Sequence, residues 1–146
     1  MIQLPSDFKE FLQLLNSEKV EYLLIGGYAV GCYGYPRPTG DIDIWVASTP
    51  QNAARIVAAL RAFGFTVAAL SEDLFLQPDQ IIRMGIPPLR IEILTSISGV
   101  GFAECYANKT QVLLDGVDVS LIGLADLKKN KTASGRLKDL NDLENI

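Results

Sequence analysis

Histidine is absent from this 146-residue chain. That removes Ser-His-Asp and Cys-His catalysis, histidine-bearing zinc sites and imidazole acid–base chemistry. Any enzyme built on the sequence must work with carboxylates, Lys, Arg, Tyr or an oxygen-held metal. Cysteine is scarce: Cys32 and Cys105 stand far apart, with no C-x-x-C spacing. They read as a reduced pair of small buried hydrophobes, which predicts a cytoplasmic protein. No run reaches the roughly 18 apolar residues of a membrane span. The opening MIQLPSDFKEF has no apolar h-region and carries acids early, so it does not read as a signal peptide. Two phosphate-binding fingerprints, G-x-x-x-x-G-K-[ST] and G-x-G-x-x-G, are also missing.

What is present points to an ordinary folded core. Hydrophobic residues make up 49% and charged residues 21%, enough to bury a core without disulfides and too apolar for disorder. The formal net charge of -4 does not suit extended DNA binding, which needs a basic face, although a small basic site remains compatible with it. The length predicts one domain over 1–146, with a core over 1–121 and a helical tail over 122–146.

Phe8, Phe11, Leu12 and Leu15 follow helical spacing, and Asp7 with Glu10 resembles a capping box. Glu21 to Ile25 reads as a buried strand, Tyr28 to Tyr33 as a short helix and Gly34 to Gly40 as a loop stiffened by Pro36 and Pro38. Asp41 to Val46 is a second strand. Thr49-Pro50 is a helix start, N-cap then N1, and Gly64 closes that helix after Phe63. From Phe65 to Ser120 the pattern reads as strands, with Gln80–Met84 and Leu89–Thr95 flanking one turn. Asp115-Gly116 gives a two-residue hairpin between Thr110–Leu114 and Val117–Leu121. Gly135 divides the tail LADLKKNKTASGRLKDLNDLENI into two short helices. The expected class is α+β with a mixed sheet and helices packed on it.

The chemistry concentrates in IGGYAVGCYGYPRPTGDIDIWV. Strand alternation sends Asp41 and Asp43 to one face and Ile42 and Ile44 to the other. Two adjacent carboxylates repel unless a cation offsets them, and oxygen ligands on a rigid strand suit Mg²⁺ or Mn²⁺. Glu92, between Ile91 and Ile93, repeats the pattern and is the candidate third carboxylate of a two-metal site. The plainer alternative puts all three acids on a solvated strand face. Gly26-Gly27 follows a strand and opens a helix, the geometry of a backbone phosphate cradle, or simply of a tight turn. Thirteen residues separate Gly27 from Asp41, and Arg37 lies between them, placed to pair with phosphate or to sit free on the surface. In the tail, Lys128, Lys131 and Arg136 could reach phosphate or acceptor, or line a solvated helical face with pairs such as Arg136–Asp139. Tyr33 and Tyr35 could stack on a base or pack at the rim, and Trp45 shares the aspartates' face by parity.

LIGGYAV…YGYPRPTGDIDIWV resembles the nucleotidyltransferase superfamily typified by DNA polymerase β, whose pattern is Gly-Gly or Gly-Ser followed at this distance by Asp-x-Asp. It is most similar to the small bacterial members, the minimal nucleotidyltransferases and abortive-infection type toxins, and the tail resembles theirs. The resemblance implies a nucleotidyltransferase-like mixed sheet and transfer of a nucleoside monophosphate from an NTP, such as ATP, to a hydroxyl of RNA, protein or a small molecule. Gly26 and Gly27 would hold the NTP phosphates, and Asp41, Asp43 and Glu92 would hold Mg²⁺ or Mn²⁺ and carry catalysis. Arg37, Lys131 and Arg136 would assist in nucleotide binding. A toxin–antitoxin role with an antitoxin partner is a further implication. A noncatalytic nucleotide- or partner-binding domain on the same fold is the alternative. Glu stands at the third position where Asp is commoner, and the separate acceptor-binding domain of longer relatives is not expected.

Overall fold

Phe8, Phe11, Leu12 and Leu15 are all buried on one face of α1 (Ser6–Ser17) in the computed structural model, which describes residues 2–146. The Asp7–Glu10 capping box does not form. Pro5 takes the N-cap, its ring-fixed φ of -53° leading the chain in without a side-chain cap, and Asp7 falls inside the first turn. There its charge still complements the helix dipole.

The order continues with β1 (Tyr22–Ile25), α2 (Gly26–Cys32), β2 (Asp41–Val46), α3 (Pro50–Phe63), a 3-10 turn (Glu72–Leu76), β3 (Ile81–Ile86) and β4 (Leu89–Leu94). It ends with α4 (Phe102–Ala107), β5 (Thr110–Leu114), β6 (Val117–Leu121), α5 (Leu124–Ser134) and α6 (Leu137–Asn145). α3 follows its sequence signals: Thr49 Oγ1 accepts from the Asn52 amide at 3.2 Å, and Gly64 closes the helix at φ 98°. The Asp115-Gly116 turn holds both residues at positive φ, 48° and 82°, as a two-residue hairpin requires.

Six strands form one sheet in the order β3-β4-β2-β1-β6-β5. The pairs β1/β2, β3/β4 and β5/β6 are antiparallel, while β2/β4 and β1/β6 are parallel. This is the expected α+β mixed sheet. β1 and β2 lie at its centre, and Leu23, Leu24, Ile42 and Ile44 are fully enclosed. Asn52 locks α3 to the sheet: its amide receives the Glu21 N–H and donates to the Glu21 and Ala47 carbonyls at 2.7–3.0 Å.

Between Phe65 and Ser120 the chain is less uniformly extended than its pattern suggests, because the 3-10 turn and α4 interrupt it. α4 also decides the place of Trp45. The indole shares the aspartates' face but is buried edge-on against Phe102, with ring centroids 5.1 Å apart, so it belongs to the core. Among the described residues no helix is long and apolar enough to cross a membrane.

Candidate functional site

β1 ends at Ile25, and the chain turns into α2 on Gly26 itself, two residues earlier than the sequence pattern suggests. Gly26 has a φ of 70°, and a Cβ there would collide with the Asp43 carboxylate. The residue must be glycine so that backbone and acid can approach this closely. A Cβ on Gly27 would press on Thr39 Oγ1 at 2.8 Å, so the second glycine lets the 34–40 loop fold over the strand end.

Asp43 sits at the crossing point of the sheet. It is paired in register with Ile25 of β1 on one side and with Glu92 of β4 on the other. Asp41 is two residues along the same face, opposite Arg90. The three carboxylates named from the sequence therefore meet on one surface, although Glu92 lies 49 positions from Asp43 in the chain.

That surface floors a cleft of about 950 Å³, walled by the glycine pair, the 37–41 loop and the tail. Five basic side chains line it (Arg37, Arg83, Lys131, Arg136 and Lys138) against the three carboxylates. A chain with net charge -4 thus concentrates cations in one concavity, as an anionic ligand would need.

The cations are not equally available. Arg37 grips Asp142 with two bonds of 2.8 and 3.0 Å. Lys131, only 3% exposed, bridges Asp139 and Asp142 at 3.1 Å each. The Arg136–Asp139 pair forms at 2.7 Å, but Asp139 is wholly buried, so this is no solvated helical face. Arg37 and Lys131 line the cleft chiefly as struts that pin the tail to the loop. Burial pushes the Asp139 and Asp142 carboxyls up, but hydrogen bonds from Arg136 to the first, Arg37 to the second and Lys131 to both more than reverse it, leaving both below the usual range. Among the described residues Lys138, in the first turn of α6, makes no ion pair. Its charge and that of Lys131 partly stabilise the Asp43 carboxylate. Lys128 does not reach the cleft. Tyr33 donates to the Ile122 carbonyl at 2.6 Å and Tyr35 accepts from Asn141 at 2.9 Å, both as packing residues.

Burial, then the charges of Glu92 and Asp41, push the Asp43 carboxyl up to about 6. Asp41 goes the other way, held down by hydrogen bonds from Arg90. The donor chemistry fits a hard divalent cation: all-oxygen ligands, like charges at close quarters and one acid with no side-chain partner among the described residues. As the side chains stand, no three acidic, His or Cys groups among the described residues gather closely enough to cage an ion. The Arg90 guanidinium lies between Asp41 and Glu92, 3.1 Å from the first and 3.7 Å from the second.

Lys138, Arg83 and Arg90 escaped the sequence reading. Arg90 had a signal, since period two puts it on the face of Glu92. Lys138 and Arg83 had none, because only the packing of α6 and the β3/β4 register bring them to the cleft.

No protein-family model matches the chain, and no curated protein matches its sequence. Solved structures do share the fold. A protein provisionally described as a nucleotidyltransferase from Thermotoga maritima superposes with a TM-score of 0.61 at 17% identity, over 94% of this chain and 88% of its own. An antigenic nucleotidyltransferase-like protein from Paracoccidioides brasiliensis gives 0.57 at 17% identity, over 95% of this chain and 73% of its own. The fold is nucleotidyltransferase-like.

Proposed function

We propose that this protein is a metal-dependent nucleotidyltransferase that moves a nucleoside monophosphate from an NTP to an acceptor hydroxyl. The observation that carries the reading is the in-register pairing of Asp43 with Glu92, beside Asp41, on the floor of a cleft that five basic side chains also line. Asp41, Asp43 and Glu92 are the residues that would hold Mg²⁺ or Mn²⁺. When bound, such an ion supplies charge neutralisation of the triphosphate and a lowered pKa for the attacking hydroxyl. The remaining work falls to the chain. The Gly26–Gly27 backbone offers amides beside Asp43, Lys138, unpaired among the described residues, supplies a cation for phosphate, and Arg136, paired with Asp139, supplies a second. No side-chain base beyond these carboxylates is required, consistent with the lack of histidine. The acceptor class stays open among RNA, protein and small molecules. The proposal extends to a cytoplasmic toxin–antitoxin setting with an antitoxin partner, on the motif resemblance of the Gly-Gly and Asp-x-Asp stretch to small bacterial members alone.

A second reading, a noncatalytic nucleotide-binding domain, is favoured by one feature: Arg90 already covers Asp41 and approaches Glu92. Thermal unfolding with Mg²⁺ and ATP, separately and together, tests nucleotide binding. Stabilisation should require both and vanish in Asp43→Asn; saturation at a hundredfold excess over Kd corresponds to about 2.7 kcal/mol. Incubation with each α-labelled NTP and cell extract then separates the two readings, since only the transferase labels an acceptor. No stabilisation under any condition rules out both.

A further inference from the structure

The carboxylate cluster carries its own cation. Arg90 lies two residues before Glu92 on β4, so both side chains leave the same face of the strand, and in register Arg90 faces Asp41. Its guanidinium takes both Asp41 oxygens, Nε to Oδ1 at 3.3 Å and Nη2 to Oδ2 at 3.1 Å. The same Nη2 stands 3.7 Å from Glu92 Oε1. Arg83, the register partner of Glu92 on β3, reaches that oxygen from the other side at 3.4 Å. Three negative charges thus face two guanidinium groups, and Asp43 is the acid left without a direct partner among the described residues.

We propose that Arg90 is a resident counter-cation, and that a divalent ion enters the cluster by exchange, displacing the guanidinium from Asp41 and Glu92. The inference rests on the metal-binding reading above. Its chemistry is competition for lone pairs: oxygens that accept hydrogen bonds from Arg90 must turn to the ion, and both cannot hold them at once. Charge favours the exchange, because a divalent ion brings two charges to three acids where Arg90 brings one. Exposure permits it. The Arg90 side chain is 32% exposed and the pair is solvent-screened, so the guanidinium can swing into water at small cost. Arg83 differs. It is 53% exposed, and among the described residues its ion pair is with Glu92 and not with Asp41. The arrangement makes metal affinity a property of Arg90 as much as of the acids.

Mn²⁺ binding to the full chain, measured by titration calorimetry and by the electron paramagnetic resonance of free Mn²⁺, tests this without any turnover. Arg90→Gln should bind Mn²⁺ roughly fivefold tighter than wild type, equivalent to about 1 kcal/mol. Arg90→Lys keeps the charge but loses the two-pronged grip, and should fall between them. Arg83→Gln removes the same charge without opening Asp41, and should change affinity less than twofold. In wild type, the Arg90 Nε–H resonance, assigned by its loss in Arg90→Lys, should move on titration with diamagnetic Mg²⁺. The exchange alone is overturned if Asp43→Asn abolishes Mn²⁺ binding while Arg90→Gln binds no tighter than wild type, or if Arg83→Gln tightens binding equally. Failure of the wild type and of every variant to bind Mn²⁺ overturns the metal reading, and the exchange with it. Circular dichroism of each variant establishes that it is folded.

Discussion

Asp43 is the residue on which stability and chemistry pull apart. Its carboxyl is raised from 3.8 to about 6, first by burial and then by Glu92 and Asp41. The folded protein therefore holds an extra proton between those pH values. Its stability contribution is best below about 4 and falls as pH rises through about 6. Asp43→Asn should stabilise the metal-free protein by about 1–3 kcal/mol at pH 7.5 and by nearly nothing at pH 4. Urea denaturation at the two pH values reads this directly, and an equal effect at both would show that charge is not the cause. Gly26 is bound to the same feature. Gly26→Ala must fit a Cβ at φ 70° against the acid and should cost about 2 kcal/mol or more. Part of that cost comes from the collision, so it should shrink in an Asp43→Ala background, a coupling that a double-mutant cycle measures.

Among the elements, the tail gives the clearest case. α5 and α6 are short and strongly polar, yet they close one side of the cleft. Lys131 joins them, since it lies on α5 and bonds Asp139 and Asp142 of α6, while Arg37 ties Asp142 to the loop before β2. Lys131→Met removes the cation from two buried acids and should destabilise by about 3–5 kcal/mol, more than its two hydrogen bonds alone account for. Thermal unfolding of this variant checks the magnitude. A loss under 1 kcal/mol would mean that the acids find water or other partners. The helix limits were legible where a cap announced them, as at Thr49, Pro50 and Gly64. α4 was not legible: six residues, of which only Cys105 is buried, carry no helical stripe.

For the whole molecule, the informative quantity is the contrast between an acidic chain and a cationic cleft wall. Lys138 is the member of that wall with no ion pair among the described residues. Lys138→Gln should weaken Mg·ATP binding about fivefold while leaving Mn²⁺ binding alone within twofold, and it should flatten the salt dependence of ATP affinity. Calorimetry at two ionic strengths separates these effects; unchanged ATP affinity would remove Lys138 from the site. Sequence reading could not reach this residue. Lys138 looks like any solvated helical lysine until α6 docks, and the α6 docking depends on a buried ion network spanning Arg37 to Asp142.

The sequence alone determined what lies within a few residues of itself. Strand parity put Asp41 and Asp43 on one face, turn chemistry set the Asp115-Gly116 hairpin, and the lack of histidine confined the chemistry to carboxylates and cations. Tertiary structure decided which distant groups meet: Glu92 beside Asp43, Arg90 over Asp41, Trp45 under α4 and Lys131 between two buried acids. The division is physical. Local order follows from backbone dihedral preferences and side-chain periodicity, which are written residue by residue. The meeting of strands and helices follows from burying one shared core, a property of the folded chain that no short stretch contains.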